Sequence, residues 1–322
     1  WLDVVVPGSS LFLTYLAITL EQYLRVGRSR RKLRKTFDNV LQPKLVNALL
    51  EDRSGDTRNG RLLELTVLFS DLQNSTALSE KIPPEVWVQR LNEYFDECTR
   101  LLLDHDAYLD KYIGDGVMAI WGAPVGVEGP AAKACLAVVE MRQRLDVLQA
   151  KIREEYDVEL VTRIGLNTGQ MVVGMVGGEK VSHYTVLGDA VVVASRLEGA
   201  NKFFGTKTLI GPTTYEQAAG AIEAREVDRV VLKGKTQWIA IYEPLSAKGE
   251  LSDSQRELRD TYAEALEHYR ARRWDESLAA LTRVLERNPN DGPSRVLRDR
   301  IAELKKNPPP DGWEGEFLMT SK

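Results

Sequence analysis

Cysteine and histidine are the residue types that this chain has least of. Its 322 residues include two cysteines and three histidines. Both cysteines, Cys98 and Cys135, fall in helical patterns, which favours buried reduced thiols over a disulfide. With so few sulfur and imidazole ligands, any metal site in this chain would be built from oxygen ligands, the kind that bind Mg²⁺ or Mn²⁺.

A strong excess of charge is also missing. The formal net charge is −4, which provides no general attraction to nucleic acid, so we expect no nucleic-acid partner. Hydrophobic residues make up 43% of the chain, enough for a sizeable core, and the length predicts about two domains. The first residue is Trp1 rather than Met, which indicates a fragment with an upstream segment missing.

Residues 1–20 contain one charged residue, Asp3, among many large apolar side chains. About twenty helical residues would cross a bilayer core of roughly 30 Å. A buried core helix is the alternative, and residues 7–10 (Pro-Gly-Ser-Ser) weaken a continuous span. The arginine and lysine cluster at residues 25–35 decides between them, because such clusters flank membrane segments on the cytoplasmic side. We therefore expect the end of a transmembrane anchor in the cell inner membrane, followed by cytoplasmic domains.

Residues 21–61 are predicted to form a helical stalk and a linker. Apolar residues recur at roughly helical spacing from Leu33 to Leu49, and Pro43 divides the helix because it cannot donate the helical hydrogen bond. A single apolar stripe is typical of a parallel dimer stalk. A helix packed on its own domain explains the stripe equally well. Residues 51–61 are polar and predict the linker.

Strand and helix patterns alternate across residues 62–246 and predict an α/β domain with helices packed on a sheet. Separate strands are predicted at residues 159–165 and 170–176, and a helix at 190–203. Residues 247–322 are predicted to form a helical extension spaced like a tetratricopeptide repeat, a helix pair of about 34 residues. One repeat and part of another are too few for a solenoid, so the extension would cap the domain or dock on a protein partner. The tail would lie extended on a surface.

Two carboxylates are predicted at strand ends. The apolar run from Glu64 carries Asp71 at its end, and Asp115 occupies a Gly-Asp-Gly turn between two apolar runs, the pattern of a β-hairpin. Either Asp alone would be interpreted as a turn or cap residue. Together they could hold two metal ions about 4 Å apart.

The segment after Asp71 is short and mostly polar. Its backbone N–H groups could face phosphates at the start of a helix, although the same residues would suit a plain helix cap. The candidate phosphate-binding residues are Leu72, Asn74, Ser75 and Thr76.

Four segments, in this order, resemble the motifs of class III nucleotidyl cyclases: Phe69–Leu72, Lys111–Asp115, Arg163–Gly169 and Tyr184–Val191. The resemblance covers about residues 62–244. It implies a ferredoxin-like, palm-type α+β sandwich that makes cyclic nucleotides as a head-to-tail dimer. Each active site would lie at the subunit interface, and both sites of a homodimer would use the same residues.

The resemblance also implies a role for individual residues. Asp71 and Asp115 match the family's metal-binding aspartates, which hold two Mg²⁺ or Mn²⁺ ions per site. Lys111 and Thr185 match the purine-reading positions. A Lys at position 111 suits adenine, because its ammonium group can donate to the N1 acceptor of the base. Guanylyl cyclases generally have Glu at the corresponding position. A surface lysine beside a turn is the alternative for Lys111.

The remaining positions concern the phosphates and the ribose. Arg196 matches the arginine that stabilises charge on the reacting phosphates, and Lys235 matches a lysine that contacts the terminal phosphates. Asn74 stands where Gly is common, although Asn tolerates positive φ better than most residues. Val192 stands where the family usually has an Asn that orients the ribose. Loss of one preorganised donor costs about 10²–10³ in turnover in another enzyme.

The expected function is a membrane-anchored adenylate cyclase, in which the 3′-hydroxyl of ATP attacks the α-phosphorus in line and expels pyrophosphate. The general base could be Asp71, water or a substrate phosphate. The missing upstream segment would be a sensor, such as the CHASE type of similar cyclases. The alternative is a cyclase-homology domain of low or no activity that senses nucleotide or dimerises, which Val192 favours. Lys111 opposes a guanylate cyclase, and the diguanylate cyclase signature is absent.

Overall fold

A computed structural model describes residues 60–178 and 180–319, together with Leu45 and Ala48, which lie in a helix. The predicted anchor at residues 1–20 and nearly all of the predicted stalk and linker lie outside the described residues. None of the described helices is both long and apolar enough to span a bilayer. The described residues from 60 onward belong to one compact unit.

Within the described residues, a nine-stranded sheet forms the centre of this unit. Its order is β2-β3-β1-β4-β6-β8-β7-β9, and β5 pairs with β4 outside that path. The strands are β1 (Arg61–Gln73), β2 (Tyr108–Ile113), β3 (Gly116–Trp121), β4 (Val161–Gly177), β5 (Ser182–Leu187), β6 (Thr208–Ile210), β7 (Ile222–Val231), β8 (Ile239–Ala247) and β9 (Glu316–Leu318).

Helices cover both faces of the sheet. From residue 60 onward they are α1 (Ser75–Lys81), α2 (Pro84–Asp104), α3 (Pro130–Tyr156), α4 (Asp189–Phe204), α5 (Pro212–Ala218), α6 (Asp253–Arg270), α7 (Trp274–Arg287) and α8 (Gly292–Lys306). Helices α2 and α3 bury their apolar residues against β1, β3 and β4, with Cys98 and Cys135 in this core. Both cysteines are buried free thiols, which confirms the sequence prediction.

Helix α4 packs on the opposite face of β4 because small residues let it approach. Side chains alternate between faces along a strand, and Ile164 and Leu166 point into the α2–α3 core. A Cβ on Gly165 would lie 2.2 Å from the carbonyl oxygen of Ala194, and one on Gly169 would lie 3.0 Å from the Cβ of Ala190. The two glycines therefore set the distance between the sheet and α4.

The prediction of two strands at residues 159–165 and 170–176 is wrong. The structure has the single strand β4, whose ladder with β1 runs through Thr168 and Gly169 without a break. Gly169 is typical of a turn when only the sequence is considered. In the fold it makes room for α4 instead.

The C-terminal residues pack against the sheet and extend it. Helices α6, α7 and α8 share a core that includes Tyr262, Tyr269 and Leu281. Beyond them, the tail forms β9, which pairs in parallel with β7 and becomes the edge strand of the sheet. The likeness to a tetratricopeptide repeat stays a prediction.

Buried ion pairs join these helices to β7. Asp228 on β7 accepts from the Arg300 guanidinium of α8 at 2.6 Å, and Arg225 lies 2.8 Å from Asp291 at the start of α8. Burial raises the pKa of the Asp228 carboxyl, and the charge of Arg300 opposes that rise. Buried charges need such partners because an unpaired one is costly.

Replacing Tyr262 by Phe should lower the free energy of unfolding by about 1–2 kcal/mol. The Tyr262 hydroxyl donates to the carbonyl of Val227 at 2.8 Å, at a point where the β7–β8 register is irregular. Urea unfolding would measure the loss. Tyr215→Phe is the matched control, since the Tyr215 hydroxyl makes no hydrogen bond to any described residue. An equal loss of unfolding free energy in the two variants would mean that the Tyr262 hydrogen bond does not stabilise the fold.

Candidate active site

Asp71 and Asp115 meet at one end of the sheet. The β1–β3 register pairs Phe69 with Met118, so its continuation places Asp71 opposite Gly116, beside Asp115 in the β2–β3 turn. The hairpin approaches β1 closely, since a Cβ on Gly116 would lie 2.0 Å from the carbonyl oxygen of Ser70. The structure thus brings together the two carboxylates predicted to bind metal.

Arg163 holds the Asp71 carboxylate. It lies opposite Asp71 in the β1–β4 register and forms an ion pair with it. Its Nε lies 3.4 Å from Oε1 of Glu198 on α4. The sequence pattern gave Arg163 and Glu198 no role. The guanidinium orients the carboxylate and connects β1 to α4.

The two carboxylates fit a hard divalent cation. Mg²⁺ is commonly held by one or two carboxylates together with substrate phosphates, rather than by a complete protein cage. Asp71 has 38% of its side chain exposed, so its oxygens are accessible. No group of three or more His, Cys, Asp or Glu side chains suited to a metal occurs among the described residues. Substrate oxygens would have to supply the remaining ligands.

Lys111 and Thr185, the two predicted purine-reading residues, lie in contact. The Lys111 ammonium group donates to the Thr185 hydroxyl at 3.2 Å. A third residue that the sequence reasoning missed, Asp110, accepts from the Thr185 hydroxyl. Asp110 also lies 3.4 Å from the Lys111 nitrogen and has 1% of its side chain exposed. The only available sequence signal was its position next to Lys111.

Arg196 and Lys235 form the third group of predicted site residues. A Cβ on Gly234 would lie 3.6 Å from Nη2 of Arg196, so the guanidinium lies beside the β7–β8 turn. Its Nη1 is buried without a hydrogen-bond partner among the described residues. Lys235, in the same turn, forms an ion pair with Asp189 in the first turn of α4. Two cationic groups therefore meet beside α4, where they could bind an anion.

The predicted phosphate loop is shorter than the sequence suggested. β1 continues to Gln73, and Leu72 is buried in the α2–α3 core, so Leu72 can offer only backbone groups. Asn74 has φ 68°, a left-handed conformation that Asn tolerates better than most residues, and it is the N-cap residue of the seven-residue helix α1, which contains Ser75 and Thr76. Its side-chain amide donates to the Glu159 carbonyl at 2.7 Å.

Val192 lies on α4, one turn before Arg196, and 43% of it is exposed. An isopropyl group has no donor or acceptor, so this exposed position offers no polar contact to a ligand. Among the described residues, no hydrogen bond or ion pair joins the metal, base and phosphate groups to one another. Within one chain they are three separate clusters.

Residues 59–242 match the family model described as the adenylate and guanylate cyclase catalytic domain. Adenylate cyclase 1 of Rhizobium meliloti is 35% identical over 208 residues, which cover 65% of this chain and 31% of that protein. The chain therefore spans about a third of the length of this curated relative.

Solved structures show the same fold. The adenylyl cyclase CyaB of P. aeruginosa is 31% identical with a TM-score of 0.55, covering 60% of this chain and 99% of that one. The guanylyl cyclase Cya2 is 30% identical with a TM-score of 0.53, covering 60% of this chain and 97% of that one. Similar structures thus include proteins named for either purine.

Proposed function

The chain belongs to the adenylate and guanylate cyclase family, and on that premise we propose that it converts ATP to 3′,5′-cyclic AMP and pyrophosphate in a homodimer. The contact between Lys111 and Thr185 carries the choice of ATP. Adenine N1 is an acceptor, which an ammonium group can meet, whereas guanine N1 carries a hydrogen and would oppose it. A guanylate cyclase would be expected to have an acceptor in place of Lys111.

A second copy of the chain would complete each site. Several large apolar side chains on β2, on β4 and on or just before β5 are exposed in the single chain: Tyr112, Ile113, Val172, Val176, Val181 and Leu187. Contiguous exposed apolar surface is typical of an interface. In a head-to-tail pair, one subunit would supply Asp71 and Asp115, and its partner would supply the base and phosphate clusters.

Each cluster has a defined task in this proposal. Lys111 and Thr185 orient the base, and Arg196 and Lys235 bind the phosphates and stabilise the negative charge that develops on them. Mg²⁺ or Mn²⁺ held by Asp71 and Asp115, two ions per site, would supply Lewis acidity toward the 3′-hydroxyl and the phosphate oxygens. The 3′-oxygen then attacks the α-phosphorus in line, and the bond to pyrophosphate breaks.

A cyclase-homology module with little turnover is the second candidate. Val192 favours it, because an exposed apolar side chain stands where the family usually has the ribose-orienting Asn. Such a protein would still dimerise and bind nucleotide. We further propose anchorage of the chain in the cell inner membrane by residues 1–20, with the catalytic domain in the cytoplasm. A protein partner for the C-terminal helices is also a proposal.

Incubating the purified chain with ATP or GTP and Mg²⁺ or Mn²⁺ tests the choice between these candidates. We expect cyclic AMP as the product, formed from ATP at least about tenfold more efficiently than cyclic GMP is formed from GTP. No product at high protein concentration, where dimers form, would favour the second candidate. The same assay on Val192→Asn should show turnover raised roughly tenfold or more, because one preorganised donor is restored. Val192→Ala is the control without a donor, and an equal gain in it would contradict this explanation.

A further inference from the structure

Asp110 is a buried carboxylate in contact with both predicted base-reading residues. It lies on β2 immediately before Lys111, and 1% of its side chain is exposed. Its Oδ2 accepts from the Thr185 hydroxyl, and its Oδ1 lies 3.4 Å from the Lys111 nitrogen. Burial raises the pKa of the Asp110 carboxyl, whereas the hydrogen bond from Thr185 and the charge of Lys111 oppose that rise.

The Thr185 hydroxyl has one hydrogen and two lone pairs. The hydrogen is directed to Asp110, and one lone pair accepts from Lys111. Only the second lone pair is left. Toward a bound base, Thr185 can therefore act as an acceptor and not as a donor.

The Lys111 ammonium group has three N–H donors. One is directed to Thr185, and a second faces Asp110. The third is free to meet a base. The cluster therefore presents one donor and one acceptor next to each other.

With Lys111 facing N1 and Thr185 facing the 6-position of the base, as the proposed function places them, that pattern matches one purine. Adenine has an acceptor at N1 and a donor at its 6-amino group, whereas guanine has a donor at N1 and an acceptor at its 6-oxo group. We propose that Asp110 is a specificity-determining positioning residue, which fixes Thr185 as an acceptor so that the cluster selects adenine over guanine. This proposal rests on the proposed function and identifies which residue sets the substrate choice at that site.

Removing the carboxylate of Asp110 should weaken the discrimination between adenine and guanine, because the Thr185 hydroxyl would no longer be fixed as an acceptor. A freed hydroxyl can rotate and donate to the 6-oxo group of guanine, while Lys111 still favours adenine at N1. We therefore expect the preference for ATP over GTP to fall roughly tenfold in Asp110→Leu, the scale of one hydrogen bond. The preference for ATP should fall less in Asp110→Asn, because the amide oxygen of Asn still accepts from the Thr185 hydroxyl.

Displacement of a fluorescent ATP analogue by ATP or GTP measures this preference in the full chain and does not depend on turnover. Thermal unfolding of each variant checks that it folds. A parent that prefers ATP, with an unchanged ratio in folded Asp110→Leu, would overturn the role of Asp110 and leave the proposed function standing. A parent that binds both nucleotides equally, or neither, would overturn both.

A double-mutant cycle separates positioning from a merely structural role. Thr185→Val removes the acceptor itself, so adding Asp110→Leu should then change the ATP:GTP ratio by less than about twofold. If the two substitutions change the ATP:GTP ratio by factors that simply multiply in the double variant, Asp110 does not act through Thr185, and the inference is overturned.

Discussion

Replacing Asp71 by Asn should reduce cyclic AMP formation by roughly a thousandfold or more. The substitution keeps the size of the side chain and removes the charge that we propose holds the metal ions. Several kcal/mol of charge stabilisation at the reacting phosphates would be lost with them. Asp71→Ala should have the same effect on activity.

The fold should survive this substitution. Asp71 is partly exposed, and its partner Arg163 keeps its contact with Glu198 on α4. Activity with ATP and Mn²⁺, measured beside a thermal unfolding curve, separates the two effects. Asp146→Asn, which changes an exposed carboxylate paired with Lys207, is the matched control and should retain parental activity. Substantial activity in Asp71→Asn would mean that the metal ions are held elsewhere.

Mixing two inactive variants, Asp71→Asn and Arg196→Ala, should restore roughly a quarter of parental activity if the dimer is head-to-tail. Each variant alone has a defect in both of its sites. In the mixed dimer, one site receives both defects, and the other receives Asp71 from one subunit and Arg196 from its partner. Random pairing makes about half of the dimers mixed, and each has one intact site of two.

Coexpression of differently tagged variants, followed by purification through both tags, gives the sharpest form of this experiment. The isolated mixed dimer should have about half of the parental activity, since one of its two sites is intact. The control is a mixed dimer of Asp71→Asn with Asp115→Asn. Each substitution damages the metal cluster of its own subunit, so neither site is complete and no activity should return. Failure of the first pair to recover activity would place each site within a single chain.

Local patterns were enough to find much of the candidate site. The apolar run ending at Asp71 and the Gly-Asp-Gly turn at Asp115 were predicted from the sequence, and the structure places both carboxylates at one end of the sheet. Helix α4 was predicted to within one residue at each end. Such features depend on side-chain periodicity and turn chemistry, which neighbouring residues determine.

Some contacts between distant parts of the chain were not predicted. Arg163 meets Asp71, 92 residues away, and Thr185 meets Asp110, 75 residues away. The sequence pattern places Gly169 in a connection between two predicted strands, because a glycine has the same local preferences in a turn as beneath a packed helix. Only helix α4, which packs against Gly169 in the folded protein, distinguishes the two cases.

The sequence by itself determined the cyclase family, the ordered motifs and the identity of the residues that could bind metal, base and phosphates. Residue type and local spacing carry that information, since chemistry depends on functional groups and strands on alternation. The tertiary structure alone decided that Asp110 commits the hydroxyl of Thr185 and that Arg163 holds Asp71. It also decided that the tail joins the sheet as β9. Such pairings depend on which strands become neighbours, and that is settled by packing of the whole core rather than by any local stretch of the chain.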